Sequence, residues 1–163
     1  MASTAGTWAR KVSIIRRLRV SALSSRERQA DEESALSTSN APTTARSTTD
    51  EIRAWALAAA VAADDKKAID VVVLDVSETL TITDAFVIAS ATNTRLVATI
   101  AEAVEERVKA EGGPAPVAIE GLGEGSWVLM DFGGFVVHVF LDETRRYYDL
   151  ERLWLDAPRI AWS

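Results

Sequence analysis

The chain has 163 residues, a net charge of −6 and no cysteine, and its length is typical of about one domain. Without cysteine the protein forms neither disulfide bonds nor thiolate metal sites, which suits a reducing compartment. Its longest apolar runs, such as residues 55–63, fall far short of the ~20 residues that a transmembrane helix needs. We therefore expect a soluble protein.

Charge divides the chain into two unlike parts. Residues 1–49 carry eight basic and four acidic side chains, whereas residues 50–163 carry ten basic and twenty acidic ones, so the net charges are +4 and −10. Residues 34–49 contain almost no large apolar side chain, so they cannot bury enough surface to offset chain entropy. The sequence predicts a basic, disordered extension over residues 1–49 and one acidic, folded domain over residues 50–163.

The beginning of the chain has a pattern of its own. Residues 1–26 contain six basic and no acidic side chains. Five apolar residues there would line one helical face: Trp8, Val12, Ile15, Leu18 and Ala22. An amphipathic, acid-poor start is typical of organelle transit peptides, but it also fits a solvated basic arm or an upstream extension. The segment lacks the long apolar core of a secretory signal, so we do not expect export.

From residue 48 onward the pattern predicts elements in the order α-β-β-α-β-β-β-α. Thr48 and Glu51 form a capping box that begins a first helix, which ends near residues 64–65. A long helix, capped by Thr92 or Thr94, ends at the Gly-Gly-Pro sequence of residues 112–114. Apolar and β-branched runs predict strands at residues 71–74, 86–89, 116–120, 127–132 and 135–141. A short amphipathic helix then contains Tyr147, Leu150, Leu153 and Trp154. We expect an α/β (α+β) fold in which helices pack on a mixed five-stranded sheet.

The glycine-rich stretch GLGEGSWVLMDFGG, residues 121–134, could suggest a phosphate-binding loop. A dinucleotide fingerprint needs a third glycine where Ser126 stands, and a helix rather than a strand after it. A kinase needs its glycine loop and DFG motif far apart, whereas only five residues separate Gly125 from Asp131. The Gly133-Gly134 pair instead predicts a two-residue hairpin turn between two strands.

This turn fixes the register of the predicted hairpin and thereby its two faces. One face is wholly apolar and belongs to the core: Val128, Met130, Phe132, Phe135, Val137 and Val139. The other face mixes aromatic side chains with a carboxylate and the one histidine of the chain: Trp127, Leu129, Asp131, Val136, His138 and Phe140. Such a mixture is typical of protein interfaces, so this face is our candidate working surface. The alternative is that the terminal helix covers it, with Tyr147, Tyr148 or Trp154 stacked on Trp127.

Catalytic and metal-binding interpretations have little support in the sequence. His138 could be combined with Ser77 or Ser126 into a triad, but no nucleophile-elbow spacing accompanies them. A metal site formed by Asp75, Asp84 or Asp131 is conceivable, although strand-end and turn aspartates in solvent are the simpler interpretation. We predict no catalytic residue, no metal and no cofactor.

Four blocks of the acidic domain resemble the ribosomal silencing factors, also called the RsfS or Iojap family. The blocks are VVVLDVS at 71–77, TDAFVIASATNTR at 83–95, EGLGEGSWVLMDFGGFVVHVF at 120–140 and RRYYDLERLW at 145–154. The resemblance covers essentially all of residues 50–163 and none of the extension. It implies a translation repressor, not an enzyme, that binds the large ribosomal subunit when nutrients are scarce. It also implies a cytoplasmic bacterial protein, or a mitochondrial or plastid one if residues 1–26 are a transit peptide.

The resemblance further implies the partner and the contact residues. Members bind a ribosomal protein beside the intersubunit face, and their bulk blocks docking of the small subunit. The family's contact strand corresponds here to Trp127, Leu129, Met130, Asp131 and Phe132, with His138 and Phe140 on the neighbouring strand. A net charge of −10 favours a basic protein partner and disfavours direct contact with RNA phosphates.

Two other functions stay open on the sequence alone. The fold also resembles a nucleotidyltransferase core, and such an enzyme would need Gly-Ser followed by paired aspartates that hold two metal ions. Gly125 and Ser126 are present, but Asp131 has no second carboxylate beside it. A dimeric scaffold is the other alternative, with the mixed aromatic face as the contact of a homodimer.

Overall fold

The computed structural model describes residues 47–163, so the predictions for residues 1–46 lie outside the described residues. The helices of the described part are α1 (Thr49–Asp65), α2 (Thr94–Ala110), α3 (Asp142–Tyr148) and a 3-10 helix (Leu150–Trp154). Its strands are β1 (Ile69–Asp75), β2 (Ala85–Ala91), β3 (Ala118–Glu120), β4 (Trp127–Asp131) and β5 (Phe135–Leu141). The α-helices and strands follow the predicted order. None of the helices in this range is both long and apolar enough to cross a membrane.

The five strands form one sheet in the spatial order β1-β2-β5-β4-β3. β2 and β5 run parallel, and the other three neighbouring pairs are antiparallel. The predicted mixed five-stranded α+β architecture is therefore confirmed. The parallel pair places β5 in the middle of the sheet, where its first six residues are all buried, so the strand is covered on both faces.

The first two helices begin with side-chain caps. Thr48 and Glu51 form both halves of the predicted capping box of α1. The cap of α2 is Asn93, whose Oδ1 accepts the Leu96 N–H at 2.8 Å. The prediction of Thr92 or Thr94 as this cap was wrong, because the helix begins at Thr94 and an amide oxygen one residue earlier reaches the free N–H groups.

Each face of the sheet has its own apolar cluster. α1 and α2 pack on the face that contains Val128, Met130 and Val139, and alanines along α1 allow its close approach. The other face carries Phe86, Leu129 and other apolar residues, and it is covered by the C-terminal part of the chain. That tail also follows β1, since the Ile160 N–H donates to the Val73 carbonyl at 2.8 Å.

Candidate partner-binding surface

The β4–β5 hairpin has the register that the glycine pair predicted. Trp127 lies opposite Phe140, Leu129 opposite His138, and Asp131 opposite Val136. Gly133 has a φ of 82°, a left-handed conformation that glycine adopts without a Cβ clash. The Asp131 carboxylate accepts the Gly133 N–H at 2.7 Å, so the aspartate of the DFG sequence stabilises the turn.

Three side chains of this hairpin form a compact aromatic group, which we call the aromatic face: Trp127, His138 and Phe140. The Trp127 and Phe140 rings stack with centroids 4.8 Å apart. The Trp127 indole Nε1–H donates to His138 Nδ1 at 3.2 Å. The indole N–H is a donor only, so Nδ1 is the acceptor of this bond. The edge-on Phe86 ring, 5.4 Å from His138, completes an environment of apolar rings.

A C-terminal cover lies over the aromatic face, and we define it as residues 148–157. Tyr148 contacts Trp127 with ring centroids 5.1 Å apart, and Trp154 meets the edge of Phe86 at 5.3 Å. Leu150 is buried in the same cluster. Of the two alternatives for this face, the structure therefore has the covered one.

Most of the predicted contact residues on the hairpin are buried. Trp127 is only 2% exposed, and Leu129, His138 and Phe140 are fully buried. Met130 and Phe132 are also buried, on the side of the sheet that packs against the helices. Of the seven predicted contact residues only Asp131 is half-buried. The other six are buried in this conformation, four of them on the covered face and two against the helices, because apolar and aromatic surface is more stable there than in water. Their role as contact residues stays a prediction.

The solvent side of the C-terminal segment carries three exposed apolar side chains, two of which the sequence pattern placed on the apolar face of the terminal helix. Tyr147 is 82% exposed and Leu155 is 78% exposed, and Leu153 is also exposed. We call these three residues the outer patch. The predicted single helix is interrupted at Asp149, which has a φ of 44°, and the chain continues as a 3-10 helix. This break turns Leu150 and Trp154 inward and leaves Tyr147 and Leu153 outside. Asp149 was the signal in the sequence for this break, because aspartate tolerates the left-handed conformation.

Arg145 fixes the cover to the sheet. Its side chain is buried, and its Nη2 forms an ion pair with Glu151 at 2.6 Å. Its Nη1 donates to the Ser90 hydroxyl at 2.9 Å and to the Ile69 carbonyl at 3.3 Å. One guanidinium thus joins β1, β2 and the 3-10 helix, a role that its fork of donors makes possible.

The residues considered for catalysis have local structural roles in the described part of the chain. The Asp75 carboxylate accepts the Ser77 N–H and hydroxyl, and His138 is bound by Trp127 inside the apolar cluster. Gly125 has a φ of 67°, and a Cβ there would lie 2.8 Å from Thr94 Cβ, so close packing against α2 requires glycine. Within residues 47–163, no three histidine, aspartate or glutamate side chains come together as potential metal ligands.

Comparison with known proteins gives the family. The family model RsfS, "Ribosomal silencing factor during starvation", matches residues 49–163. The chain belongs to this family. Among RsfS proteins, the one of Bacillus subtilis (strain 168) is 41% identical over 100 residues, which are 61% of this chain and 84% of the relative. "Mitochondrial assembly of ribosomal large subunit protein 1" of Mus musculus is 41% identical over 88 residues, or 52% of this chain and 38% of the relative.

A solved structure extends the similarity to three dimensions. The crystal structure of a protein from Chromobacterium violaceum superposes with a TM-score of 0.59 at 36% sequence identity. The match covers 66% of this chain and 87% of that one. The RsfS relatives are named as silencing factors, which is a regulatory role, and bacterial and mitochondrial relatives both occur.

Proposed function

We propose that this RsfS protein represses translation by binding the large ribosomal subunit and sterically blocking association with the small subunit, under nutrient limitation. The partner would be a basic ribosomal protein at the intersubunit face, and no catalytic step would be involved. Family membership supports ribosome-directed regulation, and the observation that carries the finer proposal is the apolar outer patch on a strongly acidic domain.

Charge supports a basic protein as the partner. The net charge of −10 over residues 50–163 would attract a basic surface and repel RNA phosphates. Such complementarity mainly raises the association rate and weakens as salt screens it. Binding to large subunits should therefore become slower as salt is added.

The outer patch supplies the part of the surface that can exclude water at a contact. Tyr147 presents a rigid aromatic ring to solvent, and Leu153 and Leu155 add aliphatic area. Tyr148 contacts both Tyr147 and Trp127 and so connects the outer patch to the aromatic face. In this proposal Trp127, His138 and Phe140 act from below, by holding the cover in a fixed position. Asp131 remains the predicted strand residue that can contact a partner directly.

Co-sedimentation with purified large subunits tests the proposal. We expect the full chain to co-sediment with large subunits but not with joined ribosomes, and to reduce joining when the small subunit is added. Tyr147→Ala combined with Leu155→Ala should weaken binding by about tenfold or more, the scale of truncating interface anchors. Ile82→Ala, an exposed apolar residue outside the patch, is the matched control and should bind normally.

Several results would contradict the proposal. Unchanged binding by the folded double variant would remove the outer patch from the interface, and equal loss in the Ile82 control would show a nonspecific effect. Metal-dependent nucleotide turnover abolished by Asp131→Asn would support an enzyme instead. A homodimer that dissociates in the double variant, without any binding to large subunits, would support the scaffold.

A further inference from the structure

A second surface site, lined by polar as well as apolar residues, lies at the other end of β4, away from Trp127. It is a groove of about 520 Å³ between the beginning of α1, the Gly133-Gly134 turn and the segment before β2. Its apolar lining includes Ile52, Trp55, Ile82, Pro114, Phe132 and Phe135. Ile82 is 52% exposed, so this apolar side chain of the groove is open to contact. We call this site the entry groove.

The chain itself enters at this groove. Ser47 and Thr49, the residues that join the preceding segment to α1, are part of its lining. The 28 residues between Leu18 and Ser47 could span up to about 90 Å when fully extended, so reach does not limit a return of residues 8–18. A segment tethered to its binding site acts at a high effective concentration, so a modest intrinsic affinity is enough to keep the site occupied.

Residues 8–19 have the chemistry to occupy the groove. Their helical spacing places Trp8, Val12, Ile15 and Leu18 on one apolar face, and five basic residues lie among them. The groove offers that face the side chains of Ile82 and Trp55. Its lining includes the carboxylate of Asp84, and Asp50 and Glu51 lie in the adjoining first turn of α1. A basic amphipathic segment therefore complements both the exposed apolar side chains of the groove and the charge of the domain.

We propose that residues 8–19 of the same chain bind in the entry groove, with the apolar face against Ile82 and Trp55 and the basic side chains toward the acidic rim. This contact is separate from the outer patch, so its failure would not affect the proposed function. It would make the extension an intramolecular ligand of the domain.

The absence of cysteine in the chain allows a direct test by a single spin label. The full-length Ser13→Cys variant would carry a nitroxide, and the amide signals of ¹⁵N-labelled protein would be compared before and after reduction of the label. We expect the amides of Ile82, Gly133 and Gly134 to lose most of their intensity. Ile82→Glu should restore them, because it places a carboxylate against the apolar face. Leu122→Glu is the matched control, because Leu122 is also an exposed aliphatic residue but precedes β4, at the end of the strand away from the groove. It should leave the broadening unchanged.

Each outcome decides the proposal. Broadening of the groove amides that disappears in Ile82→Glu but not in Leu122→Glu supports it. Unbroadened groove amides would overturn it, as would broadening that Ile82→Glu leaves in place. Mixing spin-labelled ¹⁴N protein with unlabelled ¹⁵N protein measures contact between molecules. Broadening of the same size in that mixture would assign the groove to a second copy and overturn the intramolecular contact.

Discussion

Replacing Trp127 tests whether the aromatic face is truly part of the interior. Trp127 is 2% exposed, and its indole both stacks on Phe140 and donates to His138. A buried tryptophan removes roughly 150–250 Å² from water, which corresponds to about 4–6 kcal/mol at ~25 cal/mol per Å². Measured Trp→Ala substitutions in cores cost about 3–5 kcal/mol. We therefore expect Trp127→Ala to lower the free energy of unfolding by about 4 kcal/mol.

Urea denaturation measures this cost. The free energy of unfolding falls by about 2 kcal/mol per M of urea, so this loss corresponds to an unfolding midpoint that is lower by roughly 2 M urea. Trp127→Phe keeps a ring against Phe140 but removes the N–H donor to His138, so we expect a smaller loss of about 1–3 kcal/mol. Tyr147→Ala, at a residue that is 82% exposed, should change stability by less than about 0.5 kcal/mol. A cost below about 1 kcal/mol for Trp127→Ala would refute the covered face and restore Trp127 as a direct contact.

Two further substitutions test the packing around this framework by the same denaturation assay. Arg145→Ala leaves Glu151 without its buried partner and should lower the free energy of unfolding by about 3–5 kcal/mol. Arg146→Ala breaks an exposed pair and should lower it by under about 1 kcal/mol. Equal losses for the two variants would contradict the anchoring role of Arg145. Gly134→Ala would place a Cβ 2.7 Å from Ile52 Cδ1 and should cost about 1–3 kcal/mol. This penalty should shrink when Ile52→Ala is added, and strict additivity of the two changes would argue against the clash.

Local chemistry explains which parts of the fold were predictable. The capping box of α1 is complete within four residues, and the two glycines alone set the hairpin register and both of its faces. The four sequence blocks that resemble the RsfS family are also short, continuous segments. Each of these features depends on residues near in sequence, so the pattern contains all the information that the geometry needs.

The cover over the aromatic face could not be derived in this way. Whether Trp127 meets solvent or Tyr148 depends on a chain reversal after β5 and on the backbone conformation of Asp149. The salt bridge between Arg145 and Glu151 and the bonds to β1 and β2 join segments up to 76 residues apart. Periodicity extended one helix through this region, and it therefore assigned Tyr147 and Leu153 to the wrong side.

The path of the C-terminal tail along β1 has a consequence for the protein at high concentration. An open strand edge is a template on which a strand of another chain can pair. β1 lies at one edge of the sheet and is seven residues long. Residues 158–160 occupy that edge through the bonds of Pro158 to Asp75 and of Ile160 to Val73. At the opposite border, β3 has only three residues. The tail thereby occupies part of an edge on which fibrils could grow. We expect a chain shortened at residue 157 to aggregate at concentrations where the intact protein stays dispersed.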